Sequence, residues 1–198
     1  KLYYLLPGKI KSIIFHYSKI IVNTADLEQN FINSDIGKNF GLNKKDKIDL
    51  IRQINDILAN VNSATNLNVH LTLLEYLFKP KLSFDNSCIV EAGCFEGASS
   101  CVLSIGAEIM KKKLIIYDSF KGLPKIVKKE DKEHIYDHFG AQGIYEEGMY
   151  KSSLKNVRKN IAKYGKLNCC EFREGFFENS MKTHKEKIDF IFADVDLL

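Results

Sequence analysis

The stretch Cys88-Ile89-Val90-Glu91-Ala92-Gly93-Cys94-Phe95-Glu96-Gly97 constrains this 198-residue chain more than any other. Its first five residues predict a buried strand over 88–92, and the two glycines that follow predict a turn opening a helix. A second apolar run, Leu114-Ile115-Ile116-Tyr117, closes on Asp118. Glu91 and Asp118 are 118 − 91 = 27 residues apart, the length of one helix plus one strand. A parallel α/β sheet with this spacing sets an acidic strand end beside a glycine turn, which is how such sheets grip a nucleoside-containing cofactor. Glu91 occupies the position of the first glycine in the dinucleotide fingerprint. The pattern E-x-G-x-x-x-G therefore points to S-adenosylmethionine and methyl transfer. The competing reading is a glycine turn that serves only packing, with Asp118 a solvated loop residue.

The rest of the chain is consistent with an α/β protein. Hydrophobic residues make up 45% and charged residues 27%, the balance of an ordinary globular domain. The net charge of +4 is mild and the 29 Lys and Arg are scattered, so no nucleic-acid partner is indicated. Five cysteines form no C-x-x-C pair, which argues against zinc and for a reducing, cytoplasmic setting. Ile10, Ile13, Ile14, Tyr17, Ile20 and Ile21 share one helical face among lysines. That segment is too short and too charged to span a bilayer. It suits docking on the domain or on a second copy in a homodimer, or a peripheral membrane contact.

Residues 24–45 read as loop. Apolar stripes then predict helices from about Asp46 (Ile48, Ile51, Ile54, Leu58, Val61) and across Leu71, Leu74 and Leu77 up to Pro80. Residues 1–80 are thus expected to form a helical extension or cap, and 81–198 the Rossmann-like core. In the core, strand 88–92, a helix carrying Val102, Ile105 and Ile109 and closed by Lys111, Lys112 and Lys113, and strand 114–118 follow in order. After a long polar segment, 121–150, come a helix at about 152–164 and strands at 167–173 and 188–194. This alternation predicts a parallel sheet with right-handed crossovers and helices on its faces. A doubly wound sheet has about three further strands after this point, so the core is expected to be incomplete at its C-terminal end.

Chemistry-bearing residues gather at the predicted strand ends. The helix N-terminus near Ser99 offers N–H groups to a carboxylate, and Glu91 is suited to accept from an ammonium. Asp118 is placed to accept from both ribose hydroxyls. Glu174 is expected at the adenine edge and Phe176 over its ring, with core packing of Phe176 an equal alternative. Asp194 and Asp196 follow the last strand, where two carboxylates suit Mg²⁺ and one suits removal of a hydroxyl proton; capping of a following helix is the plainer role for Asp196. His134 and His138 fall in the long polar segment, and His70 at a helix start. An Asp-x-Asp after an apolar strand also fits a metal-dependent glycosyltransferase, and the fold without turnover fits a non-catalytic subunit.

Five blocks in order carry a family resemblance. They are Val90 to Ser99, Asp118-Ser119-Phe120-Lys121-Gly122-Leu123-Pro124, Gly148 to Val157, Glu174-Gly175-Phe176-Phe177-Glu178-Asn179-Ser180, and Asp194-Val195-Asp196-Leu197. They resemble the macrocin and mycinamicin (TylF-like) O-methyltransferase family, class I S-adenosylmethionine enzymes that methylate sugar hydroxyls. The resemblance implies Mg²⁺-assisted transfer to a sugar or other small-molecule acceptor, with Asp194 as base and metal ligand beside Asp196. It also implies cofactor contacts from Thr65, Glu91, Gly93, Cys94, Phe95, Ser99, Asp118, Ser119, Phe120, Ser153, Glu174, Gly175 and Phe176. Leu198 stands where the family has a tyrosine, and the family's downstream Asp-Asp pair does not appear.

Overall fold

The computed structural model describes residues 24–79, 86–125 and 146–195. The expected N-terminal amphipathic face, His134, His138 and Asp196 lie outside them. Four parallel strands, β1 (Cys88–Ala92), β2 (Lys113–Asp118), β3 (Cys170–Glu174) and β4 (Ile188–Ala193), form one sheet in the order β3-β2-β1-β4. The chain steps outward from β1 to β2 to β3, then returns past β1 to lay down β4. That reversal opens a crevice beyond the carboxyl ends of β1 and β4, the usual ligand position in an open α/β sheet.

Among the described residues six helices accompany the sheet: α1 (Thr24–Asn33), α2 (Lys44–Asn60), α3 (Leu67–Phe78), α4 (Ala98–Met110), α5 (Leu154–Tyr164) and the single turn α6 (Phe177–Ser180). Helix α2 starts earlier than its apolar stripe suggests because Asn43 caps it. The Asn43 side chain accepts from Lys45 N at 2.8 Å and Asp46 N at 3.1 Å, while Asp46 accepts from Asn43 N at 2.9 Å, a reciprocal capping box. Helix α1 corrects the expectation of loop over 24–45. Its polar sequence has weak helical preference, but Phe31 is buried and Leu27 packs on the same core, so tertiary burial overrides propensity. The lysine run also divides differently: Lys111 caps α4 in the left-handed conformation, and Lys113 already belongs to β2. Before β3, residues Leu167–Cys169 form a 3₁₀ turn, which shortens the predicted strand.

One apolar core runs from α2 and α3 through α4 and α5 to one sheet face, joining Ile54, Leu74, Leu103, Ile116 and Ile161. Helix α3 lies so close to α4 that a Cβ on Gly106 would collide with Leu77. The opposite sheet face carries a smaller buried group, Cys88, Val90, Ile115 and Tyr117, covered by Phe177 and Met181. Among the described residues no helix is long and apolar enough to cross a membrane. Because Leu74 is fully buried between α3 and α4, Leu74→Ala should cost about 2–5 kcal/mol in chemical denaturation. An unchanged midpoint would show that the N-terminal helices do not share the core's stability.

Candidate functional site

The crevice is built around Asp118. It ends β2, and its carboxylate turns across to β1, accepting from Cys94 N at 2.8 Å through one oxygen and from Phe120 N at 2.6 Å through the other. Its carbonyl oxygen accepts from Gly175 N at 2.9 Å, and Gly93 N donates to Tyr117 O at 2.9 Å. Asp118 also stands opposite Glu174 in the β2–β3 register. The glycine turn, the acidic strand end and the start of the β3 exit are thereby held together, as the sequence spacing requires.

The two glycines have backbone roles. Both have positive φ, 87° at Gly93 and 88° at Gly97. A side chain on Gly93 would collide with the carbonyl oxygen of Asp194, whose N–H donates to Ala92 O at 2.9 Å. A Cβ on Gly97 would stand 3.0 Å from Val157 on α5. Asn160 of α5 donates to Glu96 O at 2.9 Å, fixing the turn from that side. Gly93 thus lets β4 close against β1, which brings the exposed Asp194 to the crevice.

Glu91 sits behind the turn, fully buried, with one carboxyl oxygen bound by the Ser100 hydroxyl and the other, Oε1, without a hydrogen-bond partner. Burial pushes its pKa up to about 8, against the smaller opposing effect of the Ser100 hydrogen bond. This is a largely neutral carboxyl facing inward at neutral pH, not an exposed anion. In the sequence Ser100 reads as one of the helix-start hydroxyls suited to a ligand carboxylate; its hydroxyl instead binds Glu91, because α4 lies against β1.

Three aromatic residues near the crevice hold left-handed backbone: Phe95 at φ 49°, Phe120 at φ 53° and Tyr150 at φ 56°. Non-glycine residues in this region carry a conformational cost that surrounding contacts must offset. Phe95 and Tyr150 pack edge to face with centroids 5.5 Å apart. Tyr150 belongs to a pinch, in which Leu123 N donates to Met149 O and Gly148 N to Leu123 O, both at 2.9 Å. A side chain on Gly122 would strike that backbone. The sequence shows the segment's glycines but not this pinch, which pairs backbone atoms about 25 residues apart.

The remaining candidates divide. Glu174 and Phe176 are exposed at the β3 exit beside Asp118, with Gly175 between them at φ 136°. Ser99 is buried on α4 and Cys94 is buried in the turn. The Ser119 hydroxyl donates to Gly122 O at 3.0 Å and accepts from Lys121 N at 3.1 Å; Ser153 caps α5 by accepting from Asn156 N at 3.2 Å. Thr65 lies in the turn between α2 and α3, its hydroxyl 2.7 Å from Nε2 of buried His70. Burial lowers the His70 pKa to about 4, which keeps it neutral. An open cavity of about 490 Å³ beside that turn, lined by Leu58, Val61 and Thr65 among others, does not include Asp118 or the glycine turn. Among the described residues no group of three His, Cys, Asp or Glu side chains is arranged to hold a metal.

A four-stranded parallel sheet with a glycine turn and an acidic β2 end defines a Rossmann-like α/β protein. The sequence profile of the macrocin-O-methyltransferase (TylF) family matches residues 86–198, more than half of the chain, and the chain belongs to that family. No curated protein matches it. Among solved structures it is similar to the O-methyltransferase NovP, at 15% identity and a TM-score of 0.44, over 74% of this chain and 52% of that one. It therefore spans about half the length of that protein.

The raised pKa of Glu91 has a defined sign. Between its ordinary value of 4.5 and about 8 the folded state holds a proton that the unfolded state has released, so this group's contribution to stability falls as pH rises through that window. Glu91→Gln, which keeps an acceptor for Ser100, should gain on the wild type progressively from pH 5 to pH 8 in denaturant titrations. A difference that stays constant over this range would mean that Glu91 is not the buried neutral acid described.

Proposed function

We propose that this chain is the cofactor-binding part of an S-adenosylmethionine-dependent O-methyltransferase acting on a hydroxyl of a sugar or similar small molecule. The single observation that carries the reading is the Asp118 carboxylate turned onto the glycine turn, with exposed Phe176 and Glu174 at the adjoining strand exit. Membership of the macrocin-O-methyltransferase family supports the reaction class.

In this proposal the free lone pairs of Asp118 accept from the ribose hydroxyls, and Phe176 covers the adenine while Glu174 and the Gly175 backbone meet its edge. The turn Gly93-Cys94-Phe95 carries the cofactor's middle, and Ser99 with the first turn of α4 faces its carboxylate. Glu91, fully buried, shapes that turn from behind through Ser100. Thr65, Ser119, Phe120 and Ser153 are further candidate contacts, the last three also fixing local backbone. When bound, the cofactor supplies an electrophilic methyl group. Asp194 then accepts the proton of the acceptor hydroxyl as oxygen attacks, and the surrounding groups contribute mainly by positioning. Mg²⁺ at Asp194 and Asp196 is part of the family resemblance. The described residues contribute only Asp194 to such a site.

Isothermal calorimetry with S-adenosylhomocysteine tests the proposal. Wild-type protein should bind, and Asp118→Asn should weaken binding on the order of 10- to 100-fold, the equivalent of one charged hydrogen-bonding group. Phe176→Ala should cost about 1–3 kcal/mol, as base stacking on an aromatic ring does. Absence of binding by protein with a native circular-dichroism spectrum would overturn the reading.

A further inference from the structure

Of the five cysteines, Cys88, Cys94 and Cys101 are buried, whereas Cys169 and Cys170 are partly exposed and carry free thiols. Neighbours in a strand point to opposite faces. Here Cys169 ends the 3₁₀ turn and Cys170 begins β3, so the change of backbone conformation between them brings both side chains round to one acceptor. The Cys169 thiol lies 3.1 Å and the Cys170 thiol 3.3 Å from Lys166 O, and Cys169 also reaches Ser104 O at 3.4 Å. Both residues line an open cavity of about 620 Å³, with Lys112, Lys113, Arg158 and Phe172 on its other walls. The site is built from below as well: Ser104 on α4 accepts from Lys166 N at 2.9 Å, which fixes the carbonyl that gathers the sulfurs.

We propose that Cys169 and Cys170 form a two-thiol site for a thiophilic centre that takes both sulfurs at once, a monosubstituted trivalent arsenical being its simplest representative. Proximity of Cys170 holds the Cys169 pKa below the ordinary thiol value, against the opposing effect of its partial burial. In the binding step the arsenic–oxygen bond is exchanged for two arsenic–sulfur bonds. Both thiol protons leave with that oxygen as water, and arsenic remains trivalent, so nothing is oxidised or reduced. Among the described residues no third His, Cys, Asp or Glu completes a cluster there, which disfavours a four-coordinate ion such as zinc. Cys170 is at the opposite end of β3 from Glu174, so the site is separate from the crevice at Asp118.

The test uses the full chain and phenylarsine oxide at equimolar ratio, followed by intact mass spectrometry in excess monothiol and then in excess dithiol. One phenylarsenic adduct should survive the monothiol and be released by the dithiol. Cys169→Ser and Cys170→Ser should each weaken retention on the order of 100-fold, because the second sulfur binds as an intramolecular partner. Peptide mapping of the wild-type adduct decides the matter even if either variant folds poorly: attachment across Cys169 and Cys170 supports the site. Attachment to any other cysteine overturns it. So does loss of the wild-type adduct to monothiol, or labelling only of unfolded protein.

Discussion

The carboxylate of Asp118 is the contact on which this architecture turns. A strand end normally leaves its last backbone groups to water, yet here one side chain receives the N–H of Cys94 from β1's turn and that of Phe120 from its own exit. With its carbonyl accepting from Gly175, the same residue joins the carboxyl ends of three strands. Hydrogen bonds to an ionised carboxylate are stronger and shorter than neutral ones. Three adjacent turns are thereby fixed relative to one another, and a preformed crevice costs a ligand less ordering when it binds.

Around that contact the local conformations are costly ones, and the packing shows what sustains them. Gly93 tolerates the approach of the Asp194 carbonyl, and Gly97 admits α5. Phe95 and Tyr150, both left-handed, brace each other edge to face, and the Leu123–Met149 backbone pairing supports the second of them. A neutral Glu91 behind the turn avoids placing a further negative charge near Asp118 and Asp194, at the expense of one oxygen left without a partner. Strain and an unsatisfied polar atom concentrated at a strand-end crevice are what a ligand site is expected to retain.

Much of this was legible in the chain. The strand ends at Asp118 and Asp194, the glycine turn and the helix after it follow from apolar runs and punctuation, which depend on neighbours within a few residues. What escaped the sequence involves long separations or local preferences overridden by burial. Helix α1 reads as loop until Phe31 finds the core. The start of β3 reads as strand although a 3₁₀ turn occupies it. The pinch at Gly122 and Gly148 leaves no periodic trace, because backbone pairing is indifferent to side-chain identity.

The sequence by itself determined the order of strands and helices, their parallel arrangement and which carboxylates stand at strand ends, because hydrophobic period and glycine position are properties of short segments. Only the tertiary structure decided that Asp118 faces Cys94 and that Glu91 is enclosed and bound by Ser100. Those are contacts between separate elements, fixed by how α4 and the strands pack against one another, and no periodic pattern within either element encodes them.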